Sequence, residues 1–260
     1  MSNPIRSSMA RLGLGRATAT ARFVIIGLPR SGTTYLMTLL NSHPDVICHG
    51  ELYNPYAVIS SGGRDESHDE VLGRDKDPVA FLDGVFARGQ GKRGVAALGF
   101  KFMLGQNVAV LRAILDDPEI RIIYVKRWNK LAQVASWLAA LKSMEWARPK
   151  ARKAGAAAKI RANPRKISQH WHEFDTQEMM FEALLEGRPQ ARLDLEYREL
   201  FEPGIAARLC DFLGVRARDD LTSPLAKQGA NHILDRFEHP DPIKYYFRQI
   251  GRGDWLNDEL

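Results

Sequence analysis

Short apolar runs alternate along the chain with longer stretches in which the apolar residues recur at helical spacing. The apolar runs cover residues 22–27, 46–49, 95–103, 121–126 and 191–195. Helical spacing extends over residues 33–42, 78–88, 108–115, 131–141, 171–185 and 205–213, with Gly214 as a C-cap after the last. A continuous apolar run is typical of a strand that is covered on both faces. The alternation therefore predicts an α/β fold with a mainly parallel central sheet and flanking helices.

Two segments interrupt this pattern. Residues 1–21 are rich in Ser, Ala, Thr, Gly and Arg and lack an apolar period, which predicts a flexible basic tail. Residues 142–170 are basic, rich in Ala and broken by prolines at 149 and 164, which predicts a mobile basic insertion. The remaining chain is long enough to bury a core, so we expect residues 22–260 to form a single domain that contains this insertion.

The composition favours a soluble protein of the cytoplasm. Hydrophobic residues make up 45% of the chain and charged residues 26%, as in globular proteins. No apolar run reaches the length of about 18 residues that a membrane span needs, and no secretory signal is expected. The two cysteines, Cys48 and Cys210, have no metal-ligand spacing, so neither a disulfide framework nor a zinc site is expected.

Positive charge is concentrated in the two interrupting segments. The formal net charge is +6, yet residues 142–166 alone contain nine Lys and Arg side chains against one acid, Glu145. Four further arginines precede Phe23 without any acid. The rest of the molecule is therefore acidic. The basic segment 142–166 is a candidate lid, a dock for an acidic glycan or an anionic membrane surface, or a solvated linker.

The clearest chemical signal is a glycine-containing loop at residues 27–34. It follows an apolar strand and precedes a helical stretch, which is the context of a phosphate-binding loop. Gly27 and Gly32 would let the backbone turn tightly, so that N–H groups and the dipole of the following helix face an anion. The loop therefore predicts an anion site, to which the hydroxyl groups of Thr33 and Thr34 can add donors.

The loop lacks the lysine that ATP-using enzymes place after the second glycine. Thr33 stands at that position, and the cation of the loop is Arg30. No obvious strand ends in an aspartate that could bind magnesium, since the strand at 121–126 ends in Lys126. A nucleotide or small-molecule kinase is therefore the less favoured alternative. A basic nucleic-acid-binding protein is a second alternative, but no nucleic-acid motif accompanies the charges, so no nucleic-acid partner is expected.

Residues 29–34, Pro-Arg-Ser-Gly-Thr-Thr, resemble the 5′-phosphosulfate loop of the sulfotransferases that use 3′-phosphoadenosine 5′-phosphosulfate (PAPS). The arginine of this loop, residues 39–44 and Gly50-Glu51 are similar to those of bacterial carbohydrate and nodulation-factor sulfotransferases. The resemblance implies a P-loop-like nucleotide-binding fold, PAPS as sulfuryl donor, 3′-phosphoadenosine 5′-phosphate as product, and no metal. It also implies that the 5′ end of the donor binds Arg30, Ser31, Gly32, Thr33 and Thr34.

A second segment resembles the part of these enzymes that binds the 3′-phosphate. In the family, an arginine at a strand end and a serine in the next helix hold this phosphate, and Arg127 and Ser136 match them here. Their spacing is nine residues, whereas the family has eight. Either Arg127 serves with a shifted register, or Lys126 or Lys130 shares the phosphate.

Two further matches to the family are less specific. Tyr197, within residues 193–200, corresponds to a tyrosine that the family places near the adenine, although a core position is as compatible with the sequence. Lys227 and Gln228 lie where the family has a loop that closes over the nucleotide. The matches together extend over residues 22–230.

The resemblance implies in-line transfer of the sulfuryl group, with Arg30 stabilising the charge that develops on that group and on the leaving phosphate. A hydroxyl acceptor also needs a base. Glu51 is the first candidate because it follows the second strand and related carbohydrate enzymes use a glutamate. His49 is the second, since imidazole titrates near neutrality. Lys101, a charge in an apolar strand, either reaches solvent or works in a pocket.

The resemblance also implies the partners of the enzyme. These are PAPS and a glycan or glycolipid that supplies the acceptor hydroxyl, although no single residue indicates the acceptor. A peripheral contact of the basic segment 142–166 with an anionic surface is a further expectation.

Overall fold

The computed structural model describes residues 20–89, 94–151 and 159–260 of the chain. Its strands are β1 (Ala21–Gly27), β2 (Val46–Glu51), β3 (Val58–Ser60), β4 (Gly63–Asp65), β5 (Ala97–Met103), β6 (Ile120–Lys126) and β7 (Arg192–Glu196). Five of them form one sheet in the order β2-β5-β1-β6-β7, while β3 and β4 form a separate antiparallel hairpin. All neighbouring strands of the large sheet pair in parallel, which confirms the predicted architecture.

Helices cover both faces of the sheet. They are α1 (Thr33–Leu40), α2 (His68–Lys76), α3 (Pro78–Gly89), α4 (Val108–Asp116), α5 (Lys130–Ser143), α6 (Pro164–Leu185), α7 (Ile205–Leu213) and α8 (Pro240–Gln249). Short 3₁₀ helices occur at Tyr197–Phe201, Ile233–Arg236 and Gly253–Leu256. The predicted C-cap of α7 is confirmed, because Gly214 follows it in the left-handed conformation.

The core lies in two layers because the central strand carries apolar side chains on both faces. On β1, Val24 and Ile26 belong to the buried cluster that α3–α6 and α8 cover. Phe23 and Ile25 belong to the cluster that α1 and α7 cover. The central strand is thus enclosed on both sides, as its continuous apolar sequence predicts.

The sixth helix begins earlier than its apolar pattern predicts. Helical spacing in the sequence starts at Trp171, but α6 starts at Pro164. Proline is tolerated in the first turn of a helix because that turn needs no intrahelical N–H donor, and the Asn163 side chain caps the turn by accepting from the Lys166 N–H at 2.8 Å. Residues 164–170 therefore belong to a helix rather than to a broken insertion.

Other sequence predictions meet the limits of the described chain. Residues 1–19 of the predicted tail and residues 152–158 of the basic segment lie outside the described residues. Within residues 20–89, 94–151 and 159–260, every helix is too short or too polar to span a bilayer.

The carboxyl ends of three neighbouring strands meet at one edge of the sheet. Gly27 at the end of β1 pairs with Val125 of β6, and Lys126 of β6 pairs with Glu196 of β7. The segments that begin at residues 28, 127 and 197 consequently leave the sheet side by side. This edge is where parallel sheets bind ligands.

Candidate functional site

The predicted phosphate-binding loop lies between β1 and α1, and its backbone requires glycine at both ends. A Cβ atom on Gly27 would lie 2.8 Å from the carbonyl oxygen of Val125. Gly32 has a φ of 100°, and a Cβ atom there would lie 2.7 Å from Leu200 and 2.9 Å from the ring of Tyr197. The loop therefore packs closely against β6 and the segment after β7. The first N–H groups of α1, which have no partner within the helix, follow Gly32 directly.

A cavity of about 90 Å³ opens beside this loop. Seven residues predicted to bind the donor line it, namely Arg30, Gly32, Thr33, Thr34, Arg127, Ser136 and Tyr197. Other lining residues come from Tyr35, residues 146–148, Phe201 and residues 225–228. A second cavity, of about 350 Å³, shares Ser136, Arg148, Lys227 and Gln228 with the first. The fold thus assembles most of the predicted nucleotide-binding residues around one space.

Arg30 brings an uncompensated positive charge into the cavity. Its guanidinium group donates to the Ser136 hydroxyl at 3.0 Å, to the Trp146 carbonyl and to the Gln228 side-chain oxygen. All three acceptors are neutral. Burial, together with the nearby Arg127 charge, lowers the pKa of Arg30 to about 10, which leaves it protonated at neutral pH. A desolvated cation with neutral neighbours favours an anionic ligand.

The other cations that line the cavity each contact a carboxylate. Arg148 pairs with Glu145 at 3.2 Å, and Lys227 lies 3.5 Å from Glu259. Arg127 is only 4% exposed and pairs with Glu259, which is 1% exposed. Within the described residues, Arg30 is therefore the lining cation that has only neutral hydrogen-bond partners.

Arg127 lies at the cavity, as predicted, but its nitrogen atoms already have partners. Nε donates to Glu259 at 2.7 Å, and one terminal nitrogen donates to the Arg30 carbonyl at 2.6 Å. The guanidinium carbon also lies 4.2 Å from the centre of the Tyr197 ring, a cation–π contact. Arg127 thus connects the phosphate-binding loop to the segments at 197 and 259.

The two lysines that were alternatives for the 3′-phosphate turn away from the cavity. Lys126 pairs with Glu182 and Lys130 pairs with Glu178, both on α6. The nine-residue spacing of the second motif also has a structural counterpart. Ser136 contacts the Arg30 side chain rather than Arg127.

Ser31 is the predicted donor-binding residue that does not line the cavity. Its side chain is buried, and its hydroxyl donates to the Leu28 carbonyl at 2.8 Å. The Ser31 N–H donates to the same carbonyl at 3.2 Å. Ser31 therefore closes the turn of the phosphate-binding loop.

Aromatic side chains form one wall of the cavity. The ring centroid of Phe201 lies 4.7 Å from that of Tyr35 and 5.2 Å from that of Tyr197. Tyr197 is buried, so it fills the core and faces the cavity at once. Such a wall suits contact with a planar ring.

A β-bulge separates the two candidate bases. The β2–β5 register shifts between His49, which is opposite Phe100, and Glu51, which is opposite Lys101. Because successive side chains of a strand alternate between faces, Phe100 and Lys101 point to opposite sides of the sheet. The bulge accordingly brings Glu51 to the same face as Lys101, while His49 lines a cavity with Ile47 and Leu98.

Lys101 joins Glu51 to the phosphate-binding loop. Its Nζ atom lies 2.8 Å from a Glu51 carboxylate oxygen and donates to the Thr34 hydroxyl at 2.9 Å. Asn54 and Gln106 donate to the other carboxylate oxygen at 3.0 and 2.9 Å. Burial by itself would raise the pKa of Glu51, but the Lys101 charge and these hydrogen bonds outweigh it and hold the pKa below its usual value. Glu51 is thus ionised at neutral pH, one lysine away from the cavity.

His49 belongs to a different cavity from Arg30. Its Nδ1 atom accepts from the Ser61 N–H at 3.0 Å, beside the β3–β4 hairpin. The residues around it include Asp65, Glu70 and Arg88. In the described part of the chain, no group of three His, Cys, Asp or Glu side chains is arranged to bind a metal ion.

Sequence patterns did not reveal two charged residues of the site. Arg148 lies in the basic segment, where nothing in the pattern distinguishes it from its neighbours. Glu259 lies 132 residues after Arg127 and belongs to no motif. Only the local charge balance, an acid beside three buried or half-buried cations, identifies it, and that balance exists only in the folded chain.

Comparison with known proteins supports the family that the motifs indicate. Residues 22–79 match the model of a family described as the sulfotransferase family, and this stretch contains the phosphate-binding loop and Glu51. The resemblance to that family is confirmed.

Curated relatives and a solved structure are also similar to the chain. Nodulation protein H of Rhizobium meliloti (strain 1021) is 28% identical over 129 residues, which cover 48% of this chain and 49% of that protein. Nodulation protein H of Rhizobium tropici is 56% identical over 34 residues, covering 13% and 14% respectively. The chain thus spans about half or less of the length of these relatives. A sulfotransferase from Alicyclobacillus acidocaldarius aligns with a TM-score of 0.47 and 18% identity, covering 92% of this chain and 96% of that one.

Proposed function

We propose that this chain is a sulfotransferase that moves a sulfuryl group from PAPS to a hydroxyl group of a carbohydrate or glycolipid. The observation that supports this most is the desolvated Arg30 guanidinium at the phosphate-binding loop, whose described hydrogen-bond partners are all neutral. A second basic group, Lys227, and an aromatic wall line the same cavity. This combination suits a nucleotide that carries anionic groups at more than one position.

The residues of the site fit such a donor. The backbone N–H groups at the start of α1 and the Arg30 side chain would bind the 5′-phosphosulfate. Ser136, Lys227 and Arg127 would lie near the 3′-phosphate, and Tyr197 near the adenine. The adjoining second cavity adds the room that the smaller cavity lacks for a whole nucleotide.

PAPS would supply an activated sulfuryl group, and the protein's contribution is positioning and charge. In the transfer, the acceptor oxygen forms a bond to sulfur while the bond from sulfur to the phosphate oxygen breaks. Arg30 stabilises the negative charge that the leaving phosphate gains. Glu51 accepts the proton of the acceptor hydroxyl, and Lys101 keeps this carboxylate close to the loop. His49 is the alternative base, and its position in another cavity makes it the weaker candidate.

The acceptor class is proposed from similarity. The loop arginine, residues 39–44 and Glu51 resemble bacterial carbohydrate sulfotransferases, and the curated relatives are nodulation proteins. Incubation with labelled PAPS and a panel of oligosaccharides, glycolipids and simple phenols tests this part. Transfer to phenols alone would exclude the carbohydrate acceptor and leave the donor assignment intact.

Ligand-induced thermal stabilisation tests the donor site directly. We expect 3′,5′-adenosine bisphosphate to raise the melting temperature and ATP with magnesium to leave it unchanged, because the loop has Arg30 in place of the ATP lysine. The opposite pattern would favour a kinase. Stabilisation by random DNA alone, lost at higher salt, would favour a nucleic-acid-binding protein.

Substitution of the loop arginine links this binding to turnover. Arg30→Ala should abolish sulfuryl transfer and weaken bisphosphate binding by about 100-fold, since it removes a charge-assisted contact in a desolvated site. Arg64→Ala is the matched control, because Arg64 is an exposed arginine on β4 that pairs with Glu66. Equal activity of the Arg30→Ala and Arg64→Ala proteins would refute the role of Arg30.

A further inference from the structure

We infer that Glu259 is a positioning residue for the phosphate-binding loop: its carboxylate orients Arg127, and Arg127 in turn fixes the backbone of Arg30. This inference rests on the proposed function, because it assigns Glu259 a part in the same reaction. It also gives Arg127 a primarily structural task, in which the arginine supports the loop that binds the anion.

The Glu259 carboxylate is held by cations on both of its oxygens. One oxygen accepts from Nε of Arg127 at 2.7 Å, and the other accepts from Arg236 at 2.7 Å, with Lys227 3.5 Å away. Arg236 is itself fixed, since it also donates to the carbonyls of Ala230 and Ala132. Glu259 thus has no freedom to turn toward the cavity without leaving buried cations unpaired, which is costly.

The contact passes from Arg127 to the loop through a backbone atom. A terminal nitrogen of Arg127 donates to the Arg30 carbonyl at 2.6 Å. Arg30 has a φ of 66°, a left-handed conformation that costs a non-glycine residue about 1–2 kcal/mol. A charged hydrogen bond to its carbonyl offsets this cost and sets the direction in which the Arg30 side chain leaves the loop.

The segment that bears Glu259 is anchored, which argues against a displaceable plug. Trp255 is buried and packs against Trp171 at a ring-centroid distance of 4.9 Å, and its carbonyl accepts from Asn129 at 3.0 Å. The Glu259 N–H donates to the Asn231 carbonyl at 3.2 Å. A ligand that displaced Glu259 would have to break these contacts as well. The carboxylate therefore acts as a permanent part of the site.

The charge balance is compatible with an anionic ligand while Glu259 stays in place. Arg127, Arg236 and Lys227 surround a single carboxylate, so the cluster keeps a net positive charge, to which Arg30 adds another. Removing the carboxylate charge would make the site more attractive to anions and at the same time release Arg127. Binding and turnover should consequently respond differently to the same substitution.

Glu259→Gln separates these two effects. We expect kcat to fall by about 10-fold or more, because the loop arginine loses its fixed direction, while affinity for 3′,5′-adenosine bisphosphate is unchanged or higher. Glu259→Asp, which restores the charge, should recover part of kcat. Asp258→Asn is the matched control: this neighbouring acid is 63% exposed, contacts His232, and should leave kcat and affinity unchanged.

A second variant tests the same connection if Glu259→Gln does not fold. Arg127→Lys keeps the charge but cannot bridge Glu259 and the Arg30 carbonyl through separate nitrogens, so it should show the same loss of kcat with retained affinity. A wild-type kcat in a folded Glu259→Gln protein, or in Arg127→Lys where the former does not fold, overturns the inference. A kcat above that of the wild type also overturns it and indicates an inhibitory plug. If the wild-type chain itself neither binds the bisphosphate nor transfers sulfuryl groups, it is the proposed function that fails.

Discussion

Individual side chains decide which carboxylate or imidazole can act as base in this site. Glu51 and His49 are two residues apart, yet the bulge between them gives them different neighbours. Glu51 faces Lys101 and, through it, the Thr34 hydroxyl of the loop. His49 faces the β3–β4 hairpin. The sequence alone leaves both open, because a bulge has no reliable sequence signal.

Replacement of Glu51 by glutamine tests the proposed base. Glu51→Gln should lower kcat by about 100-fold or more, since general base catalysis contributes on that order, and should leave bisphosphate affinity unchanged. Steady-state kinetics with PAPS and titration calorimetry measure the two quantities. His49→Gln is the control, with wild-type kcat expected. If His49→Gln loses activity and Glu51→Gln does not, the base is His49.

The first turn of α1 shows how an element imposes its geometry on the site. Gly32 begins the helix with a φ of 100°, and a Cβ atom there would collide with Leu200 and approach Tyr197. Gly204 begins α7 with a φ of 89°, and a Cβ atom there would meet nothing within 4 Å. The two glycines therefore have the same backbone requirement and differ in their surroundings.

This pair of glycines allows a matched test of the loop. Gly204→Ala should destabilise the fold by about 1–2 kcal/mol, the cost of a left-handed non-glycine residue, and leave kcat unchanged. Gly32→Ala should be more destabilising, because Leu200 and Tyr197 must also move, and should weaken bisphosphate binding. Denaturant unfolding and calorimetry give both values. Equal stability and equal affinity of the two variants would show that the close contact at Gly32 is unimportant.

Most elements of the fold could be predicted from apolar periodicity, whereas elements with few buried residues could not. The strands β1 and β6 are continuous apolar runs, and the structure has them within one residue of the predicted bounds. By contrast, α8 buries only Ile243 and Phe247 and contains two prolines in its first turn, so its period is too weak to be recognised. The early start of α6 was missed because Pro164 was interpreted as a break rather than as a first-turn residue.

The whole molecule is needed to assemble the cavity, since its lining comes from segments near residues 30, 127, 146, 197 and 227. Local motifs predict Arg30 and the loop because strand, loop and helix are contiguous in sequence. They do not predict that Ser136 contacts Arg30, or that Glu259 compensates Arg127, because those pairs form only when distant segments fold together. Chemistry within one motif is therefore predictable here, and the charge balance between motifs is not.

That charge balance also predicts a pH dependence of ligand binding. Burial lowers the pKa of Lys227 to about 8; the Glu259 carboxylate opposes this shift, while the charges of Arg236 and Arg127 add to it. Below that pKa Lys227 is protonated and attracts an anion, and above it the lysine is neutral. A phosphate monoester has lost its second proton by about pH 6, so the charge of the bisphosphate does not change in this range. Affinity for 3′,5′-adenosine bisphosphate should consequently decrease from about pH 7 to about pH 9, most steeply around the pKa of Lys227. Calorimetric titrations across this interval measure the slope. In Lys227→Arg the guanidinium stays charged and the slope should disappear, while Lys227→Met should bind weakly at every pH. An equal slope in the wild type and in Lys227→Arg would assign the titration to another group and remove Lys227 from the site.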